Sequence, residues 1–184
     1  EIPAIRNEVD VPVIGLTKRH SPDSEVYITP NMADVKRLIE LNCDAIAIDA
    51  TARRRAGGET LEQLVAYARK LSPETALVAD IDTYNNAVRA LQLGFDYIST
   101  TLRGYTAETK DAVTPDVDFI RSVSLPLKGK LIVEGGIWEP AQLEQVLRYD
   151  PYAVVIGSSI TRPMLITERF NRVLTLSDSE VRSA

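Results

Sequence analysis

Three ionisable side chains stand where short apolar runs of the sequence end, and together they suit proton transfer. They are Lys18, Asp80 and Glu134. Burial and a neighbouring cation, here Arg19, lower the pKa of a lysine so that it can act as a base. A carboxyl group in an apolar pocket can stay protonated and act as an acid. We therefore interpret Lys18 as the candidate base and Glu134 as the candidate acid, and Asp80 as a residue that binds a hydroxyl or orients the lysine.

Each of these residues also has a purely structural interpretation. Lys18 can be a surface lysine paired with an acid, and Glu134 a buried glutamate balanced by a cation. Asp80 can cap a helix, since Thr83 and a helical pattern follow it. The residue types alone leave these alternatives open.

Two glycine turns follow the last two apolar runs of the chain. They are Gly135 with Gly136, and Gly157 with Ser158, and Arg162 comes shortly after the second turn. Glycine lets backbone N–H groups approach an anion, and arginine adds a fixed positive charge. The pattern predicts a phosphate site, although both turns can also be simple strand-to-helix connections.

Strands that alternate with helices must position these residues. The runs rich in Val and Ile, including 131–133 and 153–156, predict strands buried on both faces of a parallel sheet. The segments between runs predict helices, with Thr29 and Thr83 as N-caps. Six such strand–helix pairs indicate a parallel α/β protein, either a barrel or a doubly wound sheet.

The placement of polar residues favours the barrel. A polar residue follows every predicted strand in turn, as expected when all loops converge on one site, and no GxGxxG motif follows the first strand. The series is Lys18, Asp49, Asp80, Thr100, Glu134 and Ser158. We interpret the long loop 100–106 as a lid or binding loop, and the arginine run 53–55 as a solvated surface.

Composition excludes several classes of protein. At 184 residues with a net charge of −5, the chain does not resemble a dedicated binder of nucleic acid or anionic membranes. Its one cysteine, Cys43, lies in an apolar pattern and predicts a buried, inert thiol. One histidine, His20, and no metal-binding motif lead us to expect no metal site. We find neither a signal pattern nor a membrane-spanning run, and therefore expect a cytoplasmic protein.

Seven motifs together resemble one family of enzymes, the N-acetylmannosamine-6-phosphate 2-epimerases, in the right order over nearly the whole chain. They are GLTKR (15–19), YITP (27–30), AIDAT (47–51), ADI (79–81), TTLRGYT (100–106), EGGI (134–137) and GSSITRP (157–163). The resemblance implies an α/β fold, a (β/α)8 TIM barrel of the phosphate-binding type, without a cofactor and often homodimeric. It implies that the substrate is a phosphorylated amino sugar, epimerised at C2 in sialic-acid catabolism.

Position by position, the resemblance agrees with the residues chosen above. The family's catalytic lysine and glutamate match Lys18 and Glu134, and its substrate-contacting aspartate matches Asp80. Its phosphate-binding elements match the two glycine turns and Arg162.

The chain departs from the family in two ways. It has Gly136 where the family usually has a basic residue, so one phosphate-side charge is absent. The family also begins with two further strands that are not present here. Since residues 2–9 read as the tail of a helix, we expect residues 1–184 to form a single (β/α) barrel domain that is incomplete at its N-terminus.

Two rival functions remain at this stage. One is another phosphosugar isomerase or epimerase barrel. The other is a non-catalytic sugar-phosphate-binding protein that keeps the anion loops without turnover. Because both Lys18 and Glu134 are present, the sequence favours the enzyme.

Overall fold

Six parallel strands form one curled sheet in the computed structural model, which describes residues 1–181 and the side chains of residues 1–172. The strands are β1 Ile14–Gly15, β2 Ala45–Asp49, β3 Ala76–Asp80, β4 Tyr97–Ser99, β5 Leu131–Glu134 and β6 Ala153–Val155. Their spatial order is the same as their order in the chain. This sequential order is that of a barrel wall, and it contradicts a doubly wound sheet, whose strand order reverses at a switch point.

Helices connect the strands, as the apolar periodicity predicts. They are α1 Ile2–Glu8, α2 Met32–Glu40, α3 Leu61–Leu71, α4 Tyr84–Gln92, α5 Val117–Ser124, α6 Pro140–Leu147, α7 Ser158–Thr161 and α8 Pro163–Val181. None of these helices, within the described residues, is long and apolar enough to cross a membrane.

The predicted helix caps are confirmed at one position and wrong at another. The Thr83 hydroxyl accepts a hydrogen bond from the Asn86 backbone N–H and caps α4. At α2 the cap is Asn31, whose side chain accepts from the Asp34 N–H at 2.9 Å, and not Thr29. Thr29 instead has a φ of 42°, in the left-handed region. The turn after Pro30 therefore starts the helix later than the proline suggests.

Alternation along the strands separates two apolar layers. The larger core lies between the sheet and the helices, and includes Ile46, Ile48, Leu77, Ile98 and Val133. The opposite, concave face carries a small cluster of Ala45, Ala47, Val78 and Ile132. This cluster lies on the same face as the polar residues that end β2, β3 and β5.

The two ends of the sheet differ from its middle. Strand β5 is buried through Val133, as predicted, whereas β6 is only half-buried and Val155 is 38% exposed. The expectation that β6 is buried on both faces is therefore wrong. Since β6 pairs with β5 alone and β1 with β2 alone, each has one side without a paired strand among the described residues.

Candidate functional site

Strand alternation brings four polar residues to one edge of the concave face. Asp49, Asp80 and Glu134 end β2, β3 and β5 in the same alternation as the small apolar residues of that face, and Ser99 ends β4. The strand register places Asp49 beside Asp80, and Asp80 beside Ser99. The predicted convergence of strand-end residues is thus confirmed for Asp49, Asp80 and Glu134, whereas β4 contributes Ser99 in place of the predicted Thr100.

Thr101 joins the two carboxyl groups of the candidate site. Its hydroxyl lies 2.7 Å from Asp80 Oδ1 and 3.1 Å from Glu134 Oε2. The Ser99 hydroxyl oxygen lies 2.8 Å from the Thr101 hydroxyl oxygen. Asp80 is therefore not a helix cap, because Thr83 caps α4 and the Asp80 carboxyl faces the strand ends instead.

Burial shifts both carboxyl groups toward the protonated form. Burial raises the pKa of Asp80 to about 8, with further contributions from the charges of Glu134 and Asp49. Burial also raises the pKa of Glu134, while the Thr101 hydroxyl and the Lys18 charge oppose that rise. A rise in the pKa of a glutamate is the direction that an acid catalyst needs.

Lys18 lies on the other side of the concave face, beyond β1. It is exposed, and residues 17–19 run antiparallel to residues 27–29. The Lys18 charge lowers the pKa values of both Asp80 and Glu134, so the three groups interact. We expected burial and the neighbouring Arg19 charge to activate this lysine. Both expectations are wrong, because Lys18 is exposed and Arg19 binds the buried Asp34 at 3.0 Å.

The prediction that the arginine run 53–55 is a solvated surface is wrong, because two of its side chains bind Asp49 at the site. Arg53 binds the fully buried Asp49 at 2.6 Å. Arg55 is 3% exposed and donates to the Asp49 backbone carbonyl. Only Arg54 of the three is exposed. Because a buried carboxyl group needs a partner, the loop 50–58 provides Asp49 with arginine partners next to Asp80.

Both glycine turns line one cavity, together with Glu134. The cavity has a volume of about 200 Å³ and is lined by Gly135, Gly136, Gly157 and Ser158. Tyr105, from the loop predicted to be a lid, lines it too and is 67% exposed. One pocket therefore unites the candidate acid with the candidate anion site.

Gly136 occupies a position with no space for a side chain. Its φ is 73°, and a Cβ atom there would lie 2.3 Å from the Thr114 carbonyl carbon. The chain therefore cannot carry a basic side chain at this position while Thr114 stays in place.

Arg162 is the predicted site residue that the structure leaves apart. It lies at the C-terminal end of α7, exposed to solvent, and is not among the residues that line the cavity. Ser158 begins the helix after β6, and Arg162 caps the end of it.

Thr101, and not the predicted Thr100, is the threonine that contacts the carboxyl groups. The Thr100 hydroxyl donates to the Glu134 carbonyl at 2.8 Å and accepts from the Glu134 N–H at 2.9 Å, so it fastens β4 to β5. Thr101 reaches the carboxyl groups. The alternation from Ser99 to Thr101 would have identified it, because residues two apart share a face of an extended strand.

The geometry can transfer protons and bind an anion. Two carboxyl groups with raised pKa values, a lysine and two glycine turns surround the concave edge. Among the described residues, no group of three His, Cys, Asp or Glu side chains is arranged to hold a metal ion.

A family model described as "Putative N-acetylmannosamine-6-phosphate epimerase", the NanE family, matches residues 1–175. A relative of that name from Malacoplasma penetrans is 49% identical over 165 residues, covering 89% of this chain and 71% of the relative. Another, from Staphylococcus carnosus, is 45% identical over 172 residues, covering 92% of this chain and 76% of the relative.

A solved structure agrees with these relatives. The N-acetylmannosamine-6-phosphate 2-epimerase from Clostridium perfringens has a TM-score of 0.88 and 38% identity, covering 94% of this chain and 74% of that one. The curled sheet and its strand order are therefore those of this fold. The chain belongs to the NanE family of N-acetylmannosamine-6-phosphate epimerases.

Proposed function

We propose that this chain interconverts N-acetylmannosamine 6-phosphate and N-acetylglucosamine 6-phosphate by removing the C2 proton and returning one on the opposite face. The family supports the reaction. The observation that carries the site assignment is the cavity that Glu134 shares with both glycine turns, since it places a proton donor beside an anion site.

The two proton-transfer roles fall to residues on opposite sides of the concave face. Lys18 is the base and Glu134 the acid for one direction, and they exchange roles for the other. Glu134 suits the acid role because burial raises its pKa. Lys18 faces the same two carboxyl groups, since its charge acts on both Asp80 and Glu134, and it accepts the C2 proton in its neutral amine form. Asp80 binds a sugar hydroxyl or orients the lysine.

The phosphate group binds at the turns Gly135–Gly136 and Gly157–Ser158. Their backbone N–H groups are the donors, and binding there anchors the sugar with C2 near Glu134. We propose that Arg162, which lies outside the cavity lining, attracts the phosphate to the cavity by its charge.

The six-stranded sheet is, we propose, part of a single eight-stranded barrel domain whose two further strands precede those described. Two features support this: β1 and β6 each have one side without a strand, and this chain covers 71% and 76% of two relatives. Intact-mass spectrometry of the purified protein tests the proposal, because a mass of 20.3 kDa would contradict it.

We also propose a homodimer. The side chains of Ile160, Met164 and Phe170 are 69%, 67% and 72% exposed and give the C-terminal helices an apolar surface. Sedimentation analysis tests this, and a monomer at every concentration would contradict it.

Proton NMR in D2O tests the reaction itself. N-acetylmannosamine 6-phosphate incubated with the protein should yield N-acetylglucosamine 6-phosphate that carries deuterium at C2. Lys18→Ala should abolish the conversion and retain binding, whereas Lys128→Ala, at an exposed lysine, is the matched control and should convert normally. A folded protein that binds the sugar phosphate without converting it would support a binding protein instead.

A further inference from the structure

Thr114 lies in the space that a side chain at position 136 would need. A Cβ atom added to Gly136 would overlap the hydroxyl oxygen of Thr114 as well as its backbone. Both residues line the same cavity as Gly135, Gly157 and Ser158. The Thr114 hydroxyl is therefore beside one of the two turns to which the proposed function assigns the phosphate group.

Contacts on two sides orient the Thr114 side chain. A Cβ atom added to Gly104 would lie 3.3 Å from the Thr114 methyl carbon, so the methyl group faces the loop 100–106. The hydroxyl oxygen faces the Gly136 turn instead. Asp116 fixes this segment, because it caps α5 and binds Arg103 at 2.8 Å. The side chain thus turns its polar atom, and not its methyl group, toward the glycine turn.

The Thr114 hydroxyl is available to a ligand. It has no hydrogen-bond partner among the described residues, and the residue is half-buried rather than enclosed. A threonine hydroxyl donates one hydrogen bond, and hydrogen bonds to a charged oxygen are about twice as strong as those between neutral groups. A phosphate oxygen held at the glycine turn is an acceptor of this kind.

The other hydrogen-bond donors of the cavity are neutral too. Among the described residues, none that lines the cavity is a lysine or an arginine. Arg103, in the neighbouring loop, is engaged with Asp116 and with the Asp82 carbonyl at 3.1 Å. A phosphate group in this cavity therefore depends on hydroxyl and backbone N–H donors, so each hydroxyl contributes a large share of the binding.

We propose that Thr114 is a phosphate-binding residue, whose hydroxyl donates to a phosphate oxygen in place of the basic residue that the family usually has at position 136. The chain thereby replaces a charged phosphate ligand with a neutral one supplied from a different loop. The inference rests on the proposed function, which places the phosphate at the glycine turns.

Thr114→Val tests this role, because valine keeps the shape of threonine and removes the hydroxyl. In a titration with inorganic phosphate followed by 31P NMR, we expect the Kd to rise by roughly 10- to 100-fold, the range for one hydrogen bond to a charged group. The KM for N-acetylmannosamine 6-phosphate should rise by a similar factor. Its kcat should change by no more than about threefold, because this bond is made equally in the substrate complex and in the transition state.

Three further variants make the test decisive. Thr114→Ser keeps the hydroxyl and should bind phosphate within about threefold of the unmodified protein, whereas Thr114→Ala, which removes it without adding bulk, should weaken binding as valine does. Thr75→Val is the matched control. Its hydroxyl bonds the Ser72 hydroxyl at 2.9 Å before the start of β3, at the opposite end of the sheet, and phosphate binding should not change.

The role of Thr114 is overturned if Thr114→Val and Thr114→Ala bind phosphate as tightly as the unmodified protein, or if Thr114→Ser loses as much affinity as they do. An unmodified protein that binds phosphate but does not epimerise the sugar would overturn the proposed reaction and leave this assignment standing. An unmodified protein that binds no phosphate would overturn the phosphate site and this assignment together.

Discussion

The middle and the edges of the sheet contribute to the candidate site in different ways. Asp80 and Glu134 end strands that are paired on both sides, and hydrogen bonds through Thr101 fix their carboxyl groups. Lys18 follows one edge strand and Ser158 the other, and Lys18 is exposed. Paired strands thus determine side-chain positions closely, whereas the edges place residues near the site without enclosing them.

The largest expected effect distinguishes the roles of the two residues that transfer the C2 proton. Glu134→Gln should lower epimerisation by roughly 10²- to 10⁴-fold, because one of the two proton-transfer groups is lost. The variant should still exchange the C2 hydrogen of one epimer with D2O, since Lys18 remains on its face. Lys18→Ala should retain exchange of the other epimer only. NMR of each pure epimer measures this, and equal exchange of both epimers in both variants would contradict the assignment.

A second prediction concerns the buried carboxyl in the middle of the sheet. The pKa of Asp80 is about 8, above its ordinary value of 3.8, so its contribution to stability is full below pH 3.8 and is lost as the pH rises through 8. Asp80→Asn removes this titration. The stability of the variant relative to the unmodified protein should therefore rise by up to about 1.4 kcal/mol per pH unit between these values.

Denaturant unfolding from pH 5 to pH 9 measures that difference. A difference that stays constant with pH would show that Asp80 is already ionised in the folded protein. Asp96→Asn is a useful comparison, because Asp96 is half-buried and binds Arg69 at 2.6 Å. Asp96→Asn removes a carboxyl group that has an arginine partner, so it measures the cost of losing an ion pair.

The third prediction compares two glycines with the same backbone conformation. Gly136 and Gly129 have φ values of 73° and 74°, but only Gly136 has neighbours within 4 Å of an added Cβ atom. Gly129→Ala should therefore cost about 1 kcal/mol, for the backbone alone. Gly136→Ala should cost a further 1–3 kcal/mol, approximately, for the overlap with Thr114. Equal losses in thermal unfolding would show that the loop around Thr114 yields freely.

The smallest expected effect lies at the edge of the sheet. Val155→Thr on β6 should change stability by no more than about 0.5 kcal/mol, because its side chain is 38% exposed. Val133→Thr on β5 buries a hydroxyl at a fully buried position and should cost roughly 1–3 kcal/mol. If the two losses are alike, β6 is covered in solution by further polypeptide.

The sequence predicts the strands and helices well because local patterns determine them. The apolar run 131–133 and the polar residue that ends it were enough to place Glu134 at the mouth of the sheet. Local patterns say less about partners that are distant in sequence. The ion pairs of Arg19 with Asp34 and of Arg53 with Asp49 depend on how loops fold back. The predictions that Arg19 activates Lys18 and that the arginine run 53–55 is solvated did not include these ion pairs, and both were wrong.

The prediction that the last strand is buried was wrong because an apolar run shows only that a strand can be buried, and its neighbours decide whether it is. Arg162 lies at the end of α7, exposed and outside the lining of the cavity. Whether Arg162 contributes to phosphate binding stays a prediction.

The close approach of Thr114 to Gly136 makes these two positions interdependent in evolution. A lineage with this loop conformation cannot acquire a basic residue at position 136 in one step, since the new side chain would have no room. The loop must first change, for instance through a smaller residue at position 114. The effect of either substitution then depends on the order in which the two arise, so ancestral reconstruction of this loop should find the change near position 114 first.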